Sequence, residues 1–214
     1  MNNAAERIVV VGGGKMGLPL ACTFASRGAF VVVCDKNQSI VDSINSGIDP
    51  HEEPEQDRYV RDGVDAGRLR ASEDTAAEVA NADAVVVLVS AVLTPAGDID
   101  WGNLASASAA VAKGLRKGML VSYETTLPIG GCRGTLVPIL ERGGLKAGTD
   151  FSVVFSPERV KSRLVFAKLS ETPKIVGGLD NASAIAGADF YERWLGAPVV
   201  NIGSLEAAEL VKLA

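Results

Sequence analysis

Apolar positions along this chain follow two rhythms. Short β-branched runs alternate with longer segments in which apolar residues recur at helical spacing. Residues 7–11 (Arg-Ile-Val-Val-Val) and 30–34 predict the first two strands, and 69–72, 83–89, 119–123, 151–155, 174–176 and 199–202 predict six more. The run at 83–89, Asp-Ala-Val-Val-Val-Leu-Val, is the strongest of these signals. Helices are predicted over 15–27, closed by Gly28, and over 38–46, closed by Gly47. A short helix follows an irregular start in 48–68. Others cover 74–81, 104–115, 134–142, 182–195 (opened by Asp180-Asn181) and 206–214. Residues 90–100 read as a loop. Continuously apolar strands separated by helices imply an α/β fold with a parallel sheet covered on both faces and right-handed crossovers.

Composition narrows the function classes. The 214 residues are 47% hydrophobic and 22% charged, which excludes a disordered chain. A chain of this size buries roughly 70% of its unfolded surface, enough for a full core. The net charge of −5, with no basic stripe, argues against nucleic acid as a partner. The longest apolar stretch, 84–93, is too short to span a bilayer. The amino-terminal residues lack the pattern of a signal peptide, so the expected location is cytoplasmic. Three cysteines without a CxxC pair and one histidine disfavour both disulfides and a metal site.

The most informative local pattern is Gly12-Gly13-Gly14-Lys15-Met16-Gly17, a GxGxxG between a predicted strand and helix. Gly12 permits the tight turn, Gly14 lets a pyrophosphate approach the backbone, and Gly17 lets the helix pack against the strand. The helix amino terminus offers N–H groups and a positive dipole end to phosphate. Asp35 follows Gly17 by 18 positions at the end of the second strand. A carboxylate there accepts the adenosine ribose hydroxyls and repels a 2′-phosphate, so the expected cofactor is NAD. The order of elements predicts a Rossmann-type doubly wound, mostly parallel sheet.

Over essentially its whole length the chain resembles the UDP-glucose/GDP-mannose dehydrogenase family, the nucleotide-sugar 6-dehydrogenases. The resemblance rests on 12–21 ending Gly-Leu-Pro-Leu-Ala, on 35–42, 44–47, Glu53-Pro54, 66–70 and Ala82-Asp83, and on Glu124-Thr125-Thr126-Leu127-Pro128-Ile129-Gly130. Its most specific parts are Ser156-Pro157-Glu158-Arg159-Val160, followed by 174–178, and Ala208-Glu209-Leu210-Val211-Lys212-Leu213. It implies oxidation of a sugar C6 alcohol to a carboxylate by two NAD in succession, with the aldehyde stage held by a cysteine as thiohemiacetal and then thioester. It also implies that Gly12, Gly14, Lys15, Met16 and Gly17 contact the pyrophosphate and that Asp35 holds the ribose. Thr126 would stand beside the cofactor and a reactive water. Glu158, Arg159 and Val160 would lie where sugar and nicotinamide meet. Lys212 would stabilise the developing oxyanion or position the water. Glu158, Thr126 and Lys212 are thus the expected catalytic residues, with a nucleotide sugar (a UDP- or dTDP-sugar) as substrate and a homodimer as the assembly. The implied organisation is an NAD-binding domain over 1–203 and the start of a linking helix over 204–214.

Several positions depart from the family pattern. Ser90-Ala91-Val92 stands where the family has Pro-Thr-Pro, Ile40 replaces an expected basic residue, Lys15 replaces an aromatic one, and Lys161-Ser162-Arg163 lacks a second glutamate. The family's nucleophilic cysteine has no counterpart in these residues, which makes the sequence read as the amino-terminal portion of a longer protein. Cys22 and Cys34 are expected to pack in the core. Cys132, in a turn at a helix start, offers packing or a lowered pKa. His51 is expected as a loop residue, with Glu52 and Glu53 as solvated charge, and Asp98 and Asp100 as turn residues. Trp101 and Trp194 are expected to pack. Two other functions compete: a β-hydroxyacid dehydrogenase of the 6-phosphogluconate type, which leaves Ser-Pro-Glu-Arg unexplained, and a non-catalytic NAD-sensing module.

Overall fold

The computed structural model describes residues 6–160, 165–169 and 171–214. Eight strands form one sheet: β1 (Arg7–Val11), β2 (Phe30–Cys34), β3 (Leu69–Ser72), β4 (Ala84–Val87), β7 (Leu120–Tyr123), β8 (Ser152–Phe155), β9 (Lys174–Gly178) and β10 (Val199–Ser204). Across the sheet they lie in the order β3-β2-β1-β4-β7-β8-β9-β10. The strand order reverses between β1 and β4, and such a switch point opens a crevice at the carboxyl ends of the strands. The remaining strands, β5 (Val92–Leu93) and β6 (Ile99–Asp100), pair as a hairpin within the expected loop 90–100. Thr94 and Asp98 close its turn, and Asp100 accepts the N–H of Gly102 at 2.8 Å.

Strand alternation divides the core between the two faces. Ile8 and Val10 point to a layer built by α1 (Gly17–Ser26), α2 (Gln38–Asn45), α3 (Gln56–Asp65), α7 (Val165–Leu169) and α8 (Asn181–Trp194). Val9 and Val11 point to the other, built by α4 (Thr75–Val79), α5 (Gly102–Gly114), α6 (Val137–Leu140) and α9 (Leu205–Leu213). Each fully buried aliphatic side chain contributes roughly 1.5–3 kcal/mol, which is why the central strands are apolar on both faces, Ser122 of β7 excepted. Trp194, Cys22 of α1 and Cys34 of β2 pack in this core.

The sheet is mostly parallel, as expected; its exception is the pair β8 and β9, which run antiparallel, with Val154 opposite Gly178 and Phe155 opposite Gly177. β9 therefore starts at the edge of the sheet where β8 ends. The helix expected over 134–142 starts earlier, as a wide π-type turn over Cys132–Leu136, and ends in a tight turn at Glu141–Gly143. Pro138 lies at the start of α6 and has no N–H to continue a regular ladder across this point.

Candidate functional site

At the end of β1 the chain turns through Gly12 with φ of +109°, a conformation that a side chain resists. A Cβ on Gly17 would stand 1.9 Å from the Gly12 carbonyl oxygen, so the start of α1 can close on β1 only because position 17 is glycine. A Cβ on Gly14 would meet nothing within 4 Å, leaving an open approach to the backbone. Asn37, Asp74, Asp180 and Ser204 cap other helices with their side chains, whereas the amino end of α1 receives no side-chain cap. The Leu18 N–H is bonded to the Gly14 carbonyl (3.0 Å) and Pro19 has none, so what this end offers an anion is chiefly the positive end of the helix dipole. Lys15 is exposed beside it and Met16 is half-buried.

Asp35 follows β2 directly. Its Oδ2 accepts the N–H of Gly13 at 2.7 Å and its Oδ1 that of Asn37 at 2.9 Å, so the carboxylate is aimed at the glycine loop. Ile40 packs against the same loop: a Cβ on Gly13 would lie 3.0 Å from its Cγ2. His51, expected as a plain loop residue, reaches back 38 positions, and its Nε2 donates to the Gly13 carbonyl at 2.5 Å. Asp49 holds that segment by accepting the N–H groups of His51 (2.8 Å) and Glu53 (3.0 Å). Glu53 is not solvated charge as expected. It is buried, and its Oε1 accepts the N–H of Val165 at 3.3 Å, which ties this loop to α7.

Three strands along, the carboxyl ends of β7 and β8 carry a second group of residues. Thr126 is exposed in the turn after β7. Glu158 follows β8, and its Oε1 accepts the N–H groups of Arg159 and Val160, each at 2.6 Å. Lys212, on α9, donates to the main-chain carbonyl of Glu158. The Arg159 guanidinium donates to the Pro173 carbonyl just before β9. The stretch Lys161-Ser162-Arg163 lies outside the described residues.

Sequence reasoning missed what holds this end together. Glu124, directly after β7, is fully buried. Its Oε2 accepts from Lys174 Nζ at 2.5 Å and its Oε1 from the Tyr191 hydroxyl at 2.6 Å. Burial pushes the Glu124 carboxyl above its ordinary range, and Lys174 offsets part of that rise. Glu209 accepts the N–H groups of Gly130 (2.6 Å) and Cys132 (2.8 Å), which pins α9 to the turn carrying Thr126. The available signal was a charged residue at the edge of an apolar run, as in Tyr123-Glu124 and Lys174-Ile175. The lowered pKa considered for Cys132 is corrected: burial, and then the neighbouring Glu209 carboxylate, push its thiol well above the ordinary value. Trp101 packs against Gly131, whose Cβ would lie 3.0 Å from the indole.

Residues 6–195 match the UDP-glucose/GDP-mannose dehydrogenase family, NAD binding domain. The chain belongs to this family. Among its relatives are UDP-N-acetyl-D-mannosamine dehydrogenase of Pyrococcus horikoshii, 32% identical over 97% of this chain and 49% of that protein, and GDP-mannose 6-dehydrogenase of Pseudomonas putida, 30% identical over 96% and 48%. Among solved structures, an NDP-N-acetyl-D-galactosaminuronic acid dehydrogenase from Methanosarcina mazei superposes with a TM-score of 0.91 at 31% identity, over 98% of this chain and 46% of that one. The chain thus spans about half the length of the relatives it matches and is homologous to their amino-terminal, NAD-binding portion. A 3-hydroxyisobutyrate dehydrogenase from Mycobacterium tuberculosis, at 16% identity and a TM-score of 0.68, shares the fold alone. The open approach at Gly14, the uncapped α1 and the aimed carboxylate of Asp35 fit the pyrophosphate and ribose of NAD. Among the described residues no helix is long and apolar enough to cross a membrane, and no group of three or more His, Cys, Asp or Glu could hold a metal ion.

Proposed function

We propose that this chain is the cofactor half of an NAD-dependent nucleotide-sugar 6-dehydrogenase that oxidises a sugar C6 alcohol to the uronic acid with two NAD. The observation that carries this reading is the meeting of Lys212 and Glu158, 54 positions apart, on the carboxyl edge of the sheet that also carries the glycine loop. NAD, when bound, accepts the hydride from C6.

This chain's own residues bind and orient. Gly12, Gly14, Lys15, Met16 and Gly17 cradle the pyrophosphate, chiefly through backbone N–H groups, and Asp35 holds the ribose. Thr126 borders the cofactor. Glu158, Arg159 and Val160 form the sugar side. An ammonium has three donors, and Lys212 spends one on the Glu158 carbonyl, leaving two for an oxygen on C6. Its charge favours that oxygen as it becomes anionic, without giving up a proton. Exposed Leu210, Val211 and Leu213 on α9 support a homodimer of the whole protein around this helix.

The test is to express the complete reading frame and follow NADH formation with UDP-N-acetylmannosamine first, then UDP-N-acetylglucosamine, UDP-glucose, GDP-mannose and dTDP-glucose. The expected result is two NADH per sugar with one member of the panel. One NADH per sugar would point to a two-electron dehydrogenase. NAD binding without NADH from any member would leave a sensing module.

A further inference from the structure

The antiparallel turn of β9 has a chemical result. In a fully parallel sheet Lys174, the first residue of β9, would lie at the edge away from the glycine loop. Here it lies at the carboxyl end of β8, beneath Glu158. Its ammonium is 2.5 Å from Glu124 Oε2 and 3.6 Å from Glu158 Oε2. The side chains of Lys174, Glu124 and Glu158 are 5%, 0% and 12% exposed. Tyr191, from α8, completes the group: its hydroxyl donates to Glu124 and lies 2.7 Å from Ser122 Oγ, and its ring stands 5.0 Å from the Lys174 ammonium. Among the described residues, the charged and titratable groups around Glu158 are Glu124 just after β7, Arg159 beside it, Lys174 from β9, Tyr191 from α8 and Lys212 from α9.

A buried lysine is expensive unless it is paired, and apolar packing would fill this volume at no such cost. With its side chain 5% exposed and both carboxylates against it, the ammonium is satisfied chiefly by Glu124 and Glu158. The geometry also divides the labour. Glu124 is fixed from two sides, by Lys174 and Tyr191. Glu158 reaches the ammonium with one oxygen and uses the other to receive the N–H groups of Arg159 and Val160, the residues that continue its own loop.

We propose that Lys174 is a positioning residue for Glu158: with Glu124 as its fixed counter-ion and Tyr191 holding Glu124, it draws the Glu158 carboxylate inward and thereby sets the path of the loop through Val160. Any consequence for sugar oxidation rests on the function proposed above; the positioning itself does not. Burial alone would lower the pKa of Lys174, but Glu124 and Glu158 outweigh it and hold the ammonium protonated.

The test uses the chain itself, by NMR of the Arg159 and Val160 amides. A Lys174→Met/Glu124→Gln double variant replaces the buried pair with neutral groups of similar size, which folds commonly accept. Both amides are expected to lose their downfield shifts and to exchange ~tenfold faster, since each gives up a hydrogen bond to a charged acceptor. Should the double variant not fold, Tyr191→Phe frees Glu124 on one side and is expected to move both amides in the same direction, by less. Unmoved amides in whichever of these variants folds would overturn the proposal and leave the pair as packing.

In an active full-length enzyme, the double variant is expected to lose ~100-fold in kcat with KM for NAD unchanged, as for a misplaced group. The loss should vanish in a Glu158→Gln background. An additive loss there would show that Lys174 does not act through Glu158. If no sugar nucleotide is oxidised, the dehydrogenase reading fails while the amides still decide the positioning.

Discussion

The two ends of the candidate site are built on opposite principles. At the glycine-loop end the residues come from one β1-α1-β2 unit, and what matters is the absence of side chains: Gly17 makes room for Gly12, and Gly14 leaves its backbone open. At the Glu158 end the residues come from β9, α8, α9 and the ends of β7 and β8, and what matters is that buried charges find partners. The first end should therefore fail when atoms are added, and the second when atoms are removed.

The largest expected effect belongs to the first end. Gly17→Ala puts a Cβ 1.9 Å from a backbone oxygen that cannot swing aside. It is expected to cost about 3 kcal/mol or more, read by denaturant unfolding, and to abolish NADH binding. Gly14→Ala is the sharper probe, because its Cβ meets nothing within 4 Å. Its unfolding midpoint should stay within about 0.5 kcal/mol of the parent, while NADH affinity falls about tenfold, or 1.4 kcal/mol. A Gly14→Ala variant that binds NADH normally would remove the cradle argument at that position.

At the other end, Glu209→Ala leaves the N–H groups of Gly130 and Cys132 without their acceptor. About 3 kcal/mol is expected to be lost, and hydrogen exchange at these two amides should accelerate. Glu209→Gln keeps one amide oxygen and should lose roughly half as much. Equal losses in the two variants would mean that α9 is held to the Thr126 turn by its apolar contacts and not by this carboxylate.

These two ends also differ in how far the chain's sequence foretells them. The glycine loop, Asp35 and the strand before each are contiguous signals, and the order of apolar runs around them is enough to predict the doubly wound sheet. The buried ion pair was invisible because its members, Glu124 and Lys174, are 50 positions apart and each reads locally as a polar residue at the end of a strand. Their meeting depends on β9 running antiparallel, which no apolar rhythm announces. His51 escaped for a related reason. A lone histidine in an irregular segment carries no periodicity, and its contact with Gly13 is made only when the loop folds back. Lys212 was marked by its motif alone, and although that motif contains Glu209, one turn earlier, nothing in it said that this carboxylate anchors the helix.

A smaller and pH-dependent effect tests the buried thiols, which lie toward both ends. Burial pushes the Cys34 thiol from 9.0 up to about 12, and Cys22 and Cys132 are also raised. The unfolded chain ionises Cys34 near its ordinary value while the folded chain keeps the proton, so stability is retained below pH 9 and lost as pH rises toward 12. Each such group contributes a slope of up to about 1.4 kcal/mol per pH unit in that window. Denaturant midpoints at successive alkaline pH values should fall, and Cys34→Ala should flatten the fall by up to one proton's worth. An unchanged slope in that variant would show that Cys34 reaches water in the folded state.

The smallest effect concerns the strap that presses on the glycine loop. Glu55, at the start of α3, has φ of +67°, and Glu52, beside His51, has φ of +54°. Left-handed backbone at residues other than glycine costs about 1 kcal/mol or more. Glu55 gives α3 no side-chain cap, and its ion pair with Arg58 is long, at 3.6 Å, and exposed, so it adds little. Glu55→Gly removes the strain but gives the unfolded chain more freedom, and the net gain expected is about 0.5 kcal/mol. The measurement is the denaturant midpoint of the variant, read together with its NADH affinity. A gain in stability with affinity unchanged would mean that the strain is local to the strap. A gain accompanied by weaker NADH binding would mean that the strained turn presses His51 onto Gly13, and that the cofactor end, too, depends on a contact from far along the chain.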